Sequence, residues 1–161
     1  MDDEASEFIH EVQSWGDPNF LTAQDALDWV NTNIAYVEDL ASYGVAEAWA
    51  NPEQTLNWGG DSEDLAFLLT SLLKWHTDEV DIGEGDLVYA VCGFLLPPVD
   101  GFHAWVFWYD ASEVAWHQLD PTSGEMDGTS YPSLGTLWLN DEYVFGFLPE
   151  YYPGPLPPIA G

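Results

Sequence analysis

The chain has 161 residues, of which 47% are hydrophobic and 16% aromatic, yet it carries 29 acidic residues against a single basic one, Lys74, for a formal net charge of −28. That apolar content is too high for a disordered acidic chain and enough for one domain with a real core. The lack of any basic patch excludes binding to a nucleic-acid backbone, and the single cysteine, Cys92, excludes an internal disulfide or a cysteine-rich zinc site.

In chain order, residues 4–15 read as a short amphipathic helix ended by "WGDP". Thr22 or Asp25 starts a second helix, whose stripe is Ala26, Leu27, Trp29, Val30, Ile34 and Val37. "ASYGVAEAWANPEQTL" reads as a loop and turn punctuated by Pro52. A third helix is expected from Ser62 to Trp75, because Leu65, Leu68, Leu69, Leu72 and Leu73 recur at buried-helix spacing. Asp61, Glu63 and Asp64 crowd its first turn and Lys74 its last, which suits the helix dipole. The second half changes period. "DLVYAVCGFLL", "FHAWVFWYD", "VAWHQLD" and "EYVFGFL" are β-branched and aromatic, with Gly, Pro, Asp or Ser between them. Helices followed by mainly antiparallel strands make an α+β architecture. Residues 1–150 are expected to form the domain, and the proline-rich residues 151–161 an extended tail. There is no internal repeat.

The charge also bears on setting. Self-repulsion of this size opposes a compact state at ordinary ionic strength. At molar salt the Debye length falls to about 3 Å and the repulsion fades. Because lysine and arginine are scarce throughout, the expected setting is the high-salt cytoplasm of a halophilic archaeon or a virion assembled there; the plainer alternative is an acidic protein with a basic partner. "MDDEASEF" lacks a positive n-region, so no signal peptide is expected, and no apolar run is long enough for a membrane span.

Three residues carry candidate chemistry. Ser62 stands at a helix head after Gly59 and Gly60, where backbone N–H groups and the helix dipole favour an anion. The plain reading is that Asp61 or Ser62 is the N-cap. His103 lies on a strand whose alternation groups it with Trp105, Phe107 and Tyr109. Asp120 ends a strand before Pro121, where an aspartate commonly starts a turn. Taken together they stand in the order of a nucleophile, a base and an orienting carboxylate. Trp58, Gly60, Asp61 and Trp105 are the candidates for a substrate groove or an oxyanion site. Trp49, Trp58, Trp105, Trp108 and Trp116 are otherwise read as mostly core. Cys92, mid-strand, reads as a small buried apolar residue. His10, His76 and His117 show no ligand spacing and read as surface or structural. The carboxylates of "DSED" and "DEVDIGEGD" lack a calcium-loop pattern and read as solvated surface. No cofactor and no metal are expected.

Beyond spacing, the sequence resembles the transglutaminase-like superfamily. The residues that carry the resemblance are Trp49, Pro52, Glu53, Thr55, Leu56, Gly60, Asp61, Glu63, Asp64, Ala66, Leu68 and Leu69, then "HAWV" at His103–Val106 and "LDPT" at Leu119–Thr122. The resemblance spans roughly residues 20 to 122 and implies a papain-like fold, with a nucleophile-bearing helix packed on an antiparallel sheet that supplies histidine and aspartate. The family's cysteine is Ser62 here, either lost naturally or replaced by engineering. A cysteine thiol of reference pKa about 8.5 is readily lowered at such a site, whereas a serine hydroxyl is far less acidic. The expectation is therefore a catalytically silenced domain that binds a protein or peptide, or serves as a structural part of an assembly such as a virus particle or tail. The alternative is a cysteine-type amidase or peptidase acting on protein or cell-wall peptide, with Ser62 in place of the nucleophile. A third reading is a working serine hydrolase.

Overall fold

The computed structural model describes residues 7–13, 19–38, 49–95, 101–128, 133–142 and 144–145. Among the described residues, three helices precede a six-stranded antiparallel sheet: α1 (Ala23–Asn33), α2 (Pro52–Trp58), α3 (Ser62–Trp75), β1 (Leu87–Leu95), β2 (Gly101–Asp110), β3 (Ala115–Asp120), β4 (Glu125–Met126), β5 (Ser133–Leu139) and β6 (Val144–Phe145). Spatial order is β4-β3-β2-β1-β5-β6. The architecture is α+β, as the sequence leads one to expect.

Local chemistry sets the helix starts. The Thr22 hydroxyl accepts from Asp25 N–H at 3.0 Å while the Asp25 carboxylate accepts from Thr22 N–H at 3.2 Å, a reciprocal cap. α1 stops at Asn33, short of the expected stripe, because Ile34 turns extended and Val37 N–H donates instead to the Gly60 carbonyl at 2.8 Å. α2 replaces part of the expected loop. Pro52 occupies the first helical position, where its missing N–H costs nothing, and Asn51 and Gln54 cap each other at 2.8 and 2.9 Å. The expected first helix is corrected within its described part. Glu7 and Phe8 are helical and residues 9–13 are not, yet Ile9 and Val12 are buried. Residues 4–6 and 14–15 lie outside the described residues, as do 41–48 of the expected loop and the tail 151–161.

β1 pairs β2 from Leu87↔Tyr109 to Leu95↔Gly101, and β2 pairs β3 from Val106↔Leu119 to Asp110↔Ala115. β5 was not foreseen, and it pairs β1 with an irregularity at Gly93/Phe94. Alternation gives the sheet two apolar faces. Val88, Ala90, Cys92, Ala104, Val106, Trp108 and Leu119 pack with α1 and α3. Tyr89, Val91, Trp105, Phe107 and Trp138 form a second, mainly aromatic cluster. Trp105 and Trp108 are therefore core as expected, whereas Trp58 is 59% exposed and Trp49 36%. None of the helices is long and apolar enough to cross a membrane, among the described residues.

Candidate active site

The glycines before α3 are required by crowding. Gly59 has φ +77°, and a Cβ there would stand 2.4 Å from the Ala35 carbonyl oxygen. A Cβ on Gly60 would stand 2.4 Å from Asp64 Cβ. Gly60 N–H donates to the same Ala35 carbonyl at 3.1 Å, so the turn is laced to the segment after α1. The two glycines let the chain pass this close and then enter α3 at Ser62.

The acidic head of α3 is corrected from solvated surface to buried latch. Asp61, Glu63 and Asp64 are all buried, with Glu63 and Asp64 at 1% and 0% exposure. Asp64 shows why: one carboxylate oxygen accepts from Ala50 N–H at 2.9 Å and the other from Asp61 N–H at 3.3 Å. A carboxylate at a helix head that receives backbone N–H groups is stabilised by both the dipole and the bonds. The "DEVDIGEGD" stretch is likewise partly structural. Asp81 accepts from Ala23 N–H, and Asp86 accepts from Trp108 Nε1 at 2.9 Å and Ala111 N–H at 2.8 Å.

His103 and Asp120 come together. His103 Nε2 lies 2.9 Å from Asp120 Oδ2, with both side chains largely out of solvent. The other oxygen, Asp120 Oδ1, accepts from Thr122 N–H at 2.9 Å and Ser123 N–H at 3.4 Å, which fixes the carboxylate in its turn. Trp105 stacks against the His103 ring at 5.9 Å between centroids and 21° between planes, on the sheet face that also holds Phe107. A residue unforeseen from sequence holds this loop. Asn31 of α1 donates from Nδ2 to the carbonyls of Pro121 and Thr122, both at 3.1 Å. Only its partners give it a role; an asparagine on the exposed side of a helix carries no such signal.

The helix direction places Ser62. Lys74, at the other end of α3, pairs with Asp141 just beyond β5 and shares a small cavity with Leu87, Val88 and Asn140. That end of α3 therefore lies where β1 begins and β5 finishes. α3 packs along β1 and β2 and spans about 21 Å at 1.5 Å per residue. α3 therefore starts, at the buried Ser62, toward the end of the sheet where β2 begins, while the alternation of β2 sets His103 with Trp105 and Phe107 on the face turned away from α3. Gly60 and Asp61 come with it, and Trp58 stands exposed just before them.

The other candidates have settings of their own. Cys92 is buried mid-strand opposite Ala104 on the helix-facing side. His10 is tied to Glu53 at 2.8 Å, and His76 caps α3, where burial lowers its pKa against opposing pulls from Glu11 and the Val12 backbone. His117 lies at the far end of β3 among carboxylates.

No family model and no curated protein matches the sequence. As a fold, the chain is similar to two structures of Legionella pneumophila LapG. The calcium-bound form is 17% identical, with a TM-score of 0.56 over 78% of this chain and 67% of that one. The EGTA-treated form is 14% identical, with a TM-score of 0.52 over 78% and 70%. At these identities the likeness is one of architecture: an α+β core with helices packed on an antiparallel sheet.

Proposed function

We propose that this chain is a catalytically silenced transglutaminase-like domain that binds a protein or an extended peptide. The observation that carries the reading is the His103–Asp120 pair at 2.9 Å, on a sheet packed against a helix that begins with a serine where the family has a thiol. LapG is a transglutaminase-like cysteine protease, and the shared core makes that chemistry the natural reference. With Nε2 turned to Asp120, Nδ1 is the ring nitrogen that would serve a nucleophile. A thiol there would lose its proton to form an ion pair with the imidazole; a serine hydroxyl stays protonated and attacks only if the base takes its proton in the transition state. Exposed Trp58 and Trp49 offer apolar surface for a peptide near the helix head.

The test has two arms. In the first, the unmodified chain is treated with a fluorophosphonate probe, and no label at Ser62 is expected. Label that disappears in both Ser62→Ala and His103→Ala would establish the serine-hydrolase reading instead. In the second, Ser62→Cys is alkylated with iodoacetamide at mildly acidic pH. It should react at least tenfold faster than Cys92 and lose that advantage in Ser62→Cys/His103→Ala. Equal rates with and without His103 would mean that the helix head and the histidine do not meet. Both arms are run with and without calcium, since one LapG structure is calcium-bound and the buried carboxylates of Asp61 and Glu63 are oxygen donors of the kind calcium takes.

The setting we propose is a high-salt interior, cellular or viral, on the strength of 29 acidic residues against one basic. Dialysis from molar salt to about 0.1 M, where the Debye length reaches about 10 Å, should lower the melting temperature by tens of degrees or unfold the chain. An unchanged melt would remove the argument.

A further inference from the structure

The turn between β2 and β3 gathers a second set of chemistry-bearing side chains, away from Ser62 and the His103–Asp120 pair. Asp110 closes β2, and the chain returns through Val114 at φ +54° to bring β3 back alongside. His117 then sits opposite Trp108 with the two rings 4.9 Å apart. One ligand atom from each of Asp110, Glu113 and His117 lies within 4.8 Å of the others. His117 Nε2 is 3.4 Å from Glu113 Oε2. On its other side His117 Nδ1 meets Asp127 Oδ2 at 2.6 Å, and the second Asp127 oxygen accepts from Gln118 N–H at 2.8 Å. Asp110 is fixed as well: its Oδ1 accepts from Ser112 N–H at 2.9 Å, the Ser112 hydroxyl at 2.6 Å and Glu113 N–H at 3.3 Å.

We propose that Asp110, Glu113 and His117 form a binding site for a divalent transition-metal ion of the zinc class, with Asp127 as the outer partner of the imidazole. A metal-bound histidine characteristically gives its second ring nitrogen to a carboxylate, which fixes the tautomer and aims the ligand nitrogen. Asp127 holds that place here, and it comes from beyond β4 rather than from the turn. The donor set is mixed, one imidazole nitrogen and two carboxylates. Zinc and its neighbours accept such a set, whereas calcium and magnesium take oxygen alone. Ligands about 2.0–2.2 Å from a tetrahedral ion stand about 3.4 Å apart, close to the Nε2–Oε2 separation. The Glu113 side chain is 63% exposed and can swing inward to close the wider pairs. Three protein ligands leave water as the fourth. The charge argument points the same way. In a chain with one lysine and no arginine, a divalent ion supplies the cation that Asp110 and Glu113 otherwise lack. Bound there, it would cross-link the ends of β2 and β3 and, through Asp127, the segment just beyond β4.

The test is calorimetric titration of zinc ion into the metal-stripped full chain, at pH 7 in about 1 M sodium sulfate to screen diffuse attraction without chloride. One equivalent should bind. Affinity should fall at least tenfold in Glu113→Gln and at least a hundredfold in His117→Ala, and stay unchanged in Glu79→Gln, an exposed carboxylate elsewhere. Cobalt ion should give tetrahedral d–d bands that vanish in His117→Ala. Calcium ion at the same concentration should not displace zinc from this site. Zinc binding that is equal in Glu113→Gln and the parent, or that calcium displaces, would mean only the general acidic surface and would overturn the proposal. Glu113 is exposed and bears no core contact, so Glu113→Gln remains decisive even where His117→Ala fails to fold.

Discussion

The β2–β3 hairpin carries a histidine toward each end, each meeting an aspartate, and the two differ in what surrounds the ring. At one end His103 meets Asp120 through Nε2, and that carboxylate is itself anchored by two backbone N–H groups. At the other, His117 faces Asp127 through Nδ1 and Glu113 through Nε2, with Asp110 close by. Burial works against a charge on His117, but hydrogen bonds and attraction from Asp127, then Glu113, outweigh it and raise its pKa. One buried carboxylate on one ring nitrogen orients a base. Carboxylates on both sides make the ring either a cation or a ligand. Sequence spacing does not separate the two cases, since each histidine lies on an aromatic strand; the partners do.

The largest effect that would break this comparison is in reactivity. In the Ser62→Cys background, His103→Ala should slow alkylation at least tenfold, while His117→Ala should leave the rate within a factor of two. Equal losses would show that both histidines act only through the fold. The next effect is steric. Gly59→Ala forces a side chain into the left-handed region and onto the Ala35 carbonyl, and should cost about 3 kcal/mol by denaturant unfolding. Gly101→Ala, at φ +96° but with open space around it, should cost only about 1 kcal/mol. Similar losses would mean that crowding at the helix head is not what demands glycine.

A smaller effect concerns the loop that anchors Asp120. Asn31→Ala removes two hydrogen bonds to the Pro121 and Thr122 carbonyls and should destabilise by about 1–2 kcal/mol. It should also slow the engineered thiol, whereas no change in that rate would make Asn31 a purely structural clamp. The smallest effect is in pH. Burial lowers the His76 pKa below its ordinary 6.5 despite pulls from Glu11 and the Val12 backbone. Its contribution is therefore present above about 6.5 and is lost as pH falls through the lowered value. His76→Gln should flatten that part of the stability profile, measured as melting temperature against pH. An unaltered slope would assign the acid sensitivity to the carboxylates.

Much of the helix layer was legible because it is written in local patterns. The leucine spacing marks α3 at its observed ends, and "HAWV" and "LDPT" mark the residues that meet as His103 and Asp120. What escaped depends on neighbours distant in the chain or on signals with two meanings. Pro52 is punctuation in a turn and a good first residue in a helix, and only the Asn51–Gln54 pair decides. β5 hides because Gly135 interrupts its apolar run, although β1 on one side and β6 on the other hold it in the sheet. The acids around Ser62 read as surface by composition. Asp64 is buried because Ala50 and Asp61 supply N–H groups to its carboxylate. Asn31 and the Asp110–Glu113–His117 group acquire meaning only when strands or helices close around them.

Lys74 has a consequence for how this molecule can be watched. Trypsin cuts after lysine and arginine, and this chain offers it one bond, Lys74–Trp75, in the last turn of the central helix. The lysine is partly buried, paired with Asp141 and stacked near the Trp75 ring. A protease must open that turn before it can cleave, so cleavage tracks the population of the open form when reclosing is fast. A single band giving two fragments becomes a clock for the opening of α3, the helix that carries Ser62 at its other end.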